Sequence, residues 1–543
     1  MAIPNFEIPG IIKKTYQWFQ IDTHQFSSAQ NGKYLGGVPL MYDADERKVI
    51  IDAGDTHTLV YGATGSLKTR AVVMPTIKIL GYAGESMIIN DSKGELHNRL
   101  AAELEAKGYH IVVINFRNPA VGNAWNPLYI PYKFYINGDI DRASEFANDI
   151  ANNLMVSERS SDDPFWDYSA SDLLFGLILL LFRYCKDHNS PVSSVNIANL
   201  LELRRSLFAS KAQAKNSILW KYASEDELVA ASLSGSIYAP NDTMNSILSV
   251  FDQKMRTFTI QPTLLDMLAN NDFDVADVGR SKTAVFLITP DEKTSYHKLV
   301  SLFVKQSYEY IIYTATQNKE NKVQNRISFI LDEFSSLPAI ADMPSMISAA
   351  RSRDIKFLLV VQSQSSLKRR YAEEAETIIS NCTNWIYFTS RELGLLKELS
   401  ELCGTQKNQT PNISIYELQH FSKEKREALV LCGRLKPARV SFLDIDRFGD
   451  KTYSVLKFNT GGRQARQRLD FTLADEIRKR FVPEELTRRS MNTQSSPSEE
   501  LNVEELIKKI DARIAEIEAE ETAGKAGKAA VDSGMVKPTS ENG

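Results

Sequence analysis

The chain has 543 residues, of which 43% are hydrophobic and 24% charged, enough for more than one domain and a substantial core. With 64 basic against 68 acidic residues and a net charge of −4, it has no global basic excess, so any nucleic-acid surface is local. Its four cysteines, Cys185, Cys382, Cys403 and Cys432, have no CxxC spacing and read as buried free thiols of a reducing cytoplasm, and the sparse histidines suggest no metal cluster.

The first fourteen residues lack the basic region and apolar run of a secretory signal. Residues 1–57 read as an irregular lead-in whose clearest feature is a hairpin, residues 40–42 and 48–52 around the polar turn 43–47. Residues 58–61 then read as a buried strand and residues 71–80 as a helix. Between them Gly62, Ala63, Thr64, Gly65, Ser66, Leu67, Lys68 and Thr69 form a P-loop-like turn. Consecutive backbone N–H groups at a helix N-terminus make a polyphosphate pocket. Lys68 would reach the outer phosphates and the Thr69 hydroxyl would hold Mg²⁺. A tight strand-to-helix connection has the same local pattern, so the turn needs support from elsewhere in the chain. Leu67 stands where the motif usually has glycine. Either the loop keeps its curl at some strain, with the leucine turned toward the helix–sheet packing, or it opens and binds ATP weakly until a neighbouring protomer closes over it. The open loop is the expectation.

Residues 87–90 and 110–116 read as further strands separated by a helix, and this alternation predicts an α/β fold with a mainly parallel sheet. From 139 to 270 the pattern changes to helices at 143–154, 168–184 and 197–203 with no convincing strand, which predicts an inserted all-helical domain. The longest apolar run, 173–182, is about half of what a bilayer crossing needs and is followed by Arg183, so a buried helix is expected there. A strand at 283–289 and a long helix at 296–316 resume the α/β pattern.

The apolar run 327–331 ends in Asp332 and Glu333. Ligands of α/β sheets bind at the carboxyl edge. There Asp332 suits the outer coordination sphere of Mg²⁺, and Glu333 can orient or deprotonate a water. A strand ending in solvated acids is the bland alternative. Residues 344–353 read as a helix ending in Arg351, Ser352 and Arg353, followed by a strand at 355–361 with Gln362 at its end. Gln362 can sense a γ-phosphate or its water, or be an ordinary strand-end glutamine. Strands at 385–388, 428–432 and 439–443 complete the sheet. After residue 490 the composition turns to Ser, Thr, Pro, Glu, Lys and Gly, with an amphipathic helix expected at 501–519 and disorder from 521. The divisions are thus 1–57, 58–138, 139–270, 271–489 and 490–543.

Assembled in order, six stretches resemble the TraG/TraD-like coupling proteins of type IV secretion. They are the P-loop turn, Ile88-Ile89-Asn90-Asp91-Ser92-Lys93-Gly94-Glu95, Asn123-Ala124-Trp125-Asn126-Pro127, Asp163-Pro164-Phe165-Trp166, Leu331-Asp332-Glu333-Phe334 and Val360-Val361-Gln362-Ser363. The resemblance spans residues 35–448. It implies a RecA-like P-loop ATPase with an inserted all-α domain, using ATP and Mg²⁺ and assembled as a homo-hexamer around a DNA channel. It further implies a neighbour's arginine at each ATP, with Arg351 or Arg353 the candidates here. Alternatively Arg351, Arg353, Lys368, Arg369 and Arg370 line the channel and grip DNA without regard to sequence. Relaxase, relaxosome and secretion-channel proteins are the implied partners. Family members usually carry N-terminal membrane helices. The sequence predicts none, which points to a cytoplasmic protein recruited to the inner face of the membrane by a separate anchoring subunit, or to a soluble branch. Leu67 casts doubt on turnover. An FtsK/HerA-like translocase and a non-hydrolysing adaptor with a degenerate P-loop are the competing readings.

Overall fold

The computed structural model describes residues 16–27, 33–156, 164–209, 211–290, 292, 296–433, 435–448, 453–459 and 463–471. The expected C-terminal helix and tail, residues 490–543, and Asp163 lie outside the described residues.

The hairpin expected near the N-terminus is present as β3 (Val38–Asp43) and β4 (Lys48–Asp52), paired antiparallel. It belongs to a four-stranded antiparallel sheet in the order β2-β1-β4-β3, with β1 at Tyr16–Gln20 and β2 at Gln25–Phe26. The described part of the lead-in is therefore a folded layer. Phe19 of β1 stacks on Phe448 at 5.8 Å, anchoring this layer to a segment more than four hundred residues later in the chain.

The central sheet has nine strands: β5 (Thr58–Tyr61), β6 (Ser86–Asp91), β7 (His110–Asn115), β8 (Thr283–Ile288), β9 (Ile327–Leu331), β10 (Ile355–Val361), β11 (Asn384–Tyr387), β12 (Glu427–Cys432) and β13 (Ala438–Ser441). Their order is β13-β12-β11-β5-β10-β9-β6-β8-β7. From β11 through to β7 every pairing is parallel, and β12 and β13 add antiparallel pairings at one edge. Every residue of β6, β8, β9 and β10 is buried, as the near-continuous apolar runs of a sheet covered on both faces require.

Alternate residues feed two separate cores. Phe329 and Leu331 pack on one face and Ile330 on the other. The face below Ile330 is covered by the helices Met74–Ala83 and Glu95–Ala106 and by the small sheet. The opposite face packs against the helix His297–Thr316 and the helical region between β7 and β8.

The described residues of that region form helices and no strand, beginning at Tyr129–Ile136 and ending at Pro262–Met267. Helical structure thus starts about ten residues before position 139. The helix Phe165–Asp187 lies at its centre, against Ile140–Met155, Glu227–Ile237 and Asn241–Lys254. Among the described residues it is the one helix long and apolar enough to cross a membrane, and 67% of its apolar window is buried inside the protein. Its Asp167 pairs with Lys254 at 2.9 Å. These helices share one continuous core with the sheet face, illustrated by Trp125 edge-on to Phe303 at 5.1 Å. All four cysteines are buried free thiols.

Candidate nucleotide site

The phosphate-loop candidate leaves β5 at Tyr61 and is held by the ends of the two neighbouring strands. Gly62 N donates to Val361 O at 3.2 Å and Ala63 N to Thr389 O at 2.8 Å. A Cβ on Gly62 would lie 2.5 Å from Ser66 Oγ and 3.1 Å from Lys68 Cδ, so only glycine fits against the returning loop. Ser66 N closes the turn onto Ala63 O at 3.1 Å. Ala63, Thr64 and Gly65 are exposed, whereas Ser66 and Lys68 are buried. The helix then opens with a wide π-helical turn, Thr69–Val73, a form concentrated at functional sites.

The expectation of an open loop is not met. Leu67 adopts φ 67°, the left-handed conformation for which the motif ordinarily uses glycine, and the loop stays curled around it. Leu67 O accepts the first helical bond, from Ala71 N at 2.9 Å. Its side chain is half-buried and joins neither core cluster. Lys68 Nζ lies over the curl, donating to Gly62 O and, at 3.2 Å, to Ala63 O. Burial lowers the Lys68 pKa, opposed by the charges of Glu333 and Asp332.

The sheet order β5-β10-β9-β6 assembles the rest of the site at one edge. Thr69 Oγ1 donates to Asp332 Oδ2 at 2.9 Å, joining residues 263 positions apart. Asp332 Oδ1 accepts from Glu333 N at 3.0 Å, and its backbone carbonyl accepts from Asn90 Nδ2 at 2.6 Å. Asp332 is 6% exposed, and burial pushes its pKa up to about 6 against the lowering effect of the Thr69 bond. Glu333 follows in the left-handed region at φ 55°, a strained conformation of the kind stored at functional sites. Gln362 Nε2 donates to Glu333 Oε2 at 2.8 Å. The two expected strand-end motifs therefore meet.

Two contributors have no role assigned from sequence: Asn90, present only as part of a resembling stretch, and Arg70. Asn90 supports Asp332 and accepts from Thr289 Oγ1 at 3.4 Å. Its signal was present in the polar residues ending an otherwise apolar strand. Arg70, beside Thr69, binds Asp444 and Asp446 at 2.6 Å each and fastens the start of the helix to a distant segment. Nothing local in the sequence marks that pairing.

Arg351 and Arg353 lie elsewhere. They form the turn just before β10, at the amino edge of the sheet, roughly 20 Å along that strand from the phosphate loop. Arg351 pairs with Asp55 at 3.5 Å, and Arg353 donates to Ala349 O at 3.1 Å. Lys368, Arg369 and Arg370 sit on the helix Gln364–Tyr371, which follows Gln362 at the carboxyl edge, with Lys368 paired to Glu376 at 2.6 Å.

The donor set suits a magnesium nucleotide. A hydroxyl and a buried carboxylate supply hard oxygen ligands, a glycine cradle leaves room for backbone N–H groups to approach phosphate, and the buried Ser66 Oγ has no hydrogen-bond partner within the protein. Among the described residues no cluster of three or more His, Cys, Asp or Glu side chains could hold a metal ion.

The family model for type IV secretory system conjugative DNA transfer matches residues 15–443. The chain is similar to the type IV secretion system-coupling protein VirD4 of Bartonella henselae, with 23% identity over 65% of this chain and 54% of that protein. A conjugal transfer protein TraG of Escherichia coli is 22% identical over 74% of this chain and 63% of its own length. The chain thus spans a little over half to under two thirds of the length of these relatives. Among solved structures, the unbound form of the bacterial conjugative coupling protein TrwBdeltaN70 superimposes with a TM-score of 0.52 at 16% identity, covering 76% of this chain and 89% of that one. TrwB in complex with a non-hydrolysable GTP analogue gives a TM-score of 0.52, with coverage of 74% and 89%. The chain shares the RecA-like P-loop fold of these structures.

Proposed function

Because the chain belongs to the type IV secretory system conjugative DNA transfer family, we propose that it is an ATP-driven coupling protein that recruits DNA with its attached relaxase and pumps it into a secretion channel. The observation that carries this reading is the convergence of Thr69 with Asp332, and of Gln362 with Glu333, beside a curled phosphate loop. The related TrwB has been solved with an ATP analogue and with ADP and Mg²⁺, which supports the same ligands here.

In this mechanism the loop N–H groups and Lys68 bind the phosphates, and Lys68 exchanges its two carbonyl partners for phosphate oxygens. Thr69 and Asp332 would hold Mg²⁺, which when bound neutralises charge on the phosphate oxygens. Glu333 orients the attacking water and accepts its proton at Oε1 or Oε2. Gln362, already bonded to that carboxylate, fixes its orientation and can report on the γ-phosphate. Arg351 or Arg353 reaches a phosphate only in another protomer, since each lies at the opposite edge of its own sheet. This favours a ring with ATP between subunits, a homo-hexamer around DNA. In this reading its partners are the proteins of the secretion channel, at the inner face of the membrane.

A steady-state ATPase assay with and without single-stranded DNA tests this reading. Hydrolysis that rises with DNA and disappears in Glu333→Gln supports a motor. Nucleotide binding with no hydrolysis under either condition would instead make the chain an adaptor.

A further inference from the structure

After the last strand the chain returns across the helical region. Residues 453–459 and 463–471 have neither helix nor strand. Phe458 stacks on His97 of the helix Glu95–Ala106 at 4.8 Å, on the motor side. From Arg463, held by the loop after β7, to Phe471, against the helix Phe165–Asp187, the contacts move onto the helical region.

Side-chain amides hold this segment by its main chain. Asn270 Nδ2 donates to Gln464 O at 2.8 Å. Asn199 grips twice, donating from Nδ2 to Gln467 O at 2.9 Å and accepting at Oδ1 from Leu469 N at 3.0 Å. Asn196 Nδ2 adds a bond to Gln467 O at 3.2 Å, and the Tyr184 hydroxyl donates to Asp470 O at 2.9 Å. Asn196 and Asn199 are buried. Such amide-to-backbone bonds hold an extended polypeptide whatever its sequence, as main-chain bonds do in other peptide-recognition modes.

Selectivity would come from the two ends. The Arg463 guanidinium is caged by the carbonyls of Pro119, Val121, Gly122 and Asn123. Eight residues on, Phe471 is buried edge-on to Tyr184 at 4.9 Å. From the first end onward Arg463, Arg466 and Leu469, every third residue, are partly buried, as a three-residue extended repeat gives. Beside Arg463 and Gln464 the groove widens into a cleft of about 600 Å³, lined by Asn126, Tyr129, Ser193 and Asn271.

We propose that this asparagine-lined groove is a binding site for an extended polypeptide segment carrying an arginine and, eight residues later, a large aromatic, and that residues 463–471 occupy it in cis as a competitor. An incoming segment of a partner protein displaces the chain's own, and the helical region loses its tie to the helix Glu95–Ala106. The site is independent of nucleotide turnover, so its failure and that of the ATPase reading are separate.

The test uses the full chain and a fluorescent synthetic peptide with the sequence of residues 463–471, read by anisotropy. The double variant Arg463→Ala/Phe471→Ala loosens the cis segment. It should bind the peptide at least tenfold more tightly than the wild type does. Adding Asn199→Ala should remove at least tenfold of that affinity. Asn270→Ala, partly exposed, serves the same purpose if Asn199→Ala does not fold. A peptide lacking the arginine and the phenylalanine should bind at least tenfold more weakly. Equal binding to wild type and double variant, with circular dichroism unchanged, would overturn the proposal. So would indifference to both asparagine substitutions, or displacement of the peptide by a single-stranded oligonucleotide.

Discussion

Gln362 donates its side-chain amide to Glu333 over 2.8 Å, tying together the carboxyl ends of the adjacent strands β10 and β9. The bond holds a carboxylate whose backbone is itself strained at φ 55°. Under the proposed mechanism Glu333 is the base, and a base so positioned should be worth far more than its partner. Glu333→Gln is expected to lower kcat at least about 100-fold while leaving nucleotide affinity within roughly threefold. Gln362→Leu should cost about tenfold in kcat, because the carboxylate remains but is no longer oriented. Steady-state kinetics alongside nucleotide titration separates the two. Equal effects from both variants would contradict this division of labour.

Lys68 bonds to loop carbonyls from a buried position. Lys68→Ala should weaken nucleotide binding by about 30-fold, roughly 2 kcal/mol, since a charge-assisted contact to phosphate is lost. Calorimetric titration reads this directly. An unchanged affinity would mean that phosphate does not bind at this loop.

Burial raises the Asp332 pKa from 3.8 to about 6. A carboxyl raised in the folded state favours its protonated form, so its stabilising contribution is present below about pH 4 and is lost as pH rises toward 6. By linkage the loss is roughly 3 kcal/mol. Asp332→Asn should therefore melt at a higher temperature than the wild type at pH 8, and the advantage should vanish near pH 4. Magnesium-dependent nucleotide affinity should show the opposite trend, falling as pH drops through 6, because only the carboxylate can take part in holding the cation. Melting curves and titrations across this range check both signs.

The position of Arg351 and Arg353 at the amino edge predicts complementation between subunits. Chains carrying Glu333→Gln and chains carrying Arg351→Ala/Arg353→Ala should each be inactive alone. Mixed before assembly, they should regain measurable ATPase activity, because some interfaces would pair an intact glutamate with an intact arginine. No recovery in assembled mixtures would exclude an arginine acting in trans.

Leu67 already holds the left-handed conformation. Leu67→Gly therefore has no opening or closing of the loop to shift, and it should change nucleotide affinity by less than about threefold. Its relief of backbone strain, about 1 kcal/mol, is offset by the greater freedom of glycine in the unfolded chain. A tenfold tightening on titration would show instead that the leucine holds the loop shut against nucleotide.

Much of this architecture follows from local pattern. Strands such as Ile355–Val361 and Ile327–Leu331 are continuous apolar runs because both faces of a parallel sheet are buried, and that signature needs no partner to be visible. The same holds for the residues around Gly62 and Lys68, whose types follow from what a phosphate loop must accommodate. Tertiary structure decided the rest. Only the strand order, with β10 between β5 and β9, brings Thr69 to Asp332 and Gln362 to Glu333, since pairing order is a property of the whole sheet and of no single strand. The Leu67 conformation differs from the sequence expectation because neighbouring strand ends pin the loop through Val361 O and Thr389 O, long-range bonds that outweigh a local backbone preference of about 1 kcal/mol. Of the small N-terminal sheet the sequence shows clearly only the hairpin, because β1 finds its partner β4 some thirty residues away, across turns that carry no register signal. The return of residues 463–471 over the helical region was invisible for the same reason: amide side chains bond its backbone, and backbone leaves no mark on sequence.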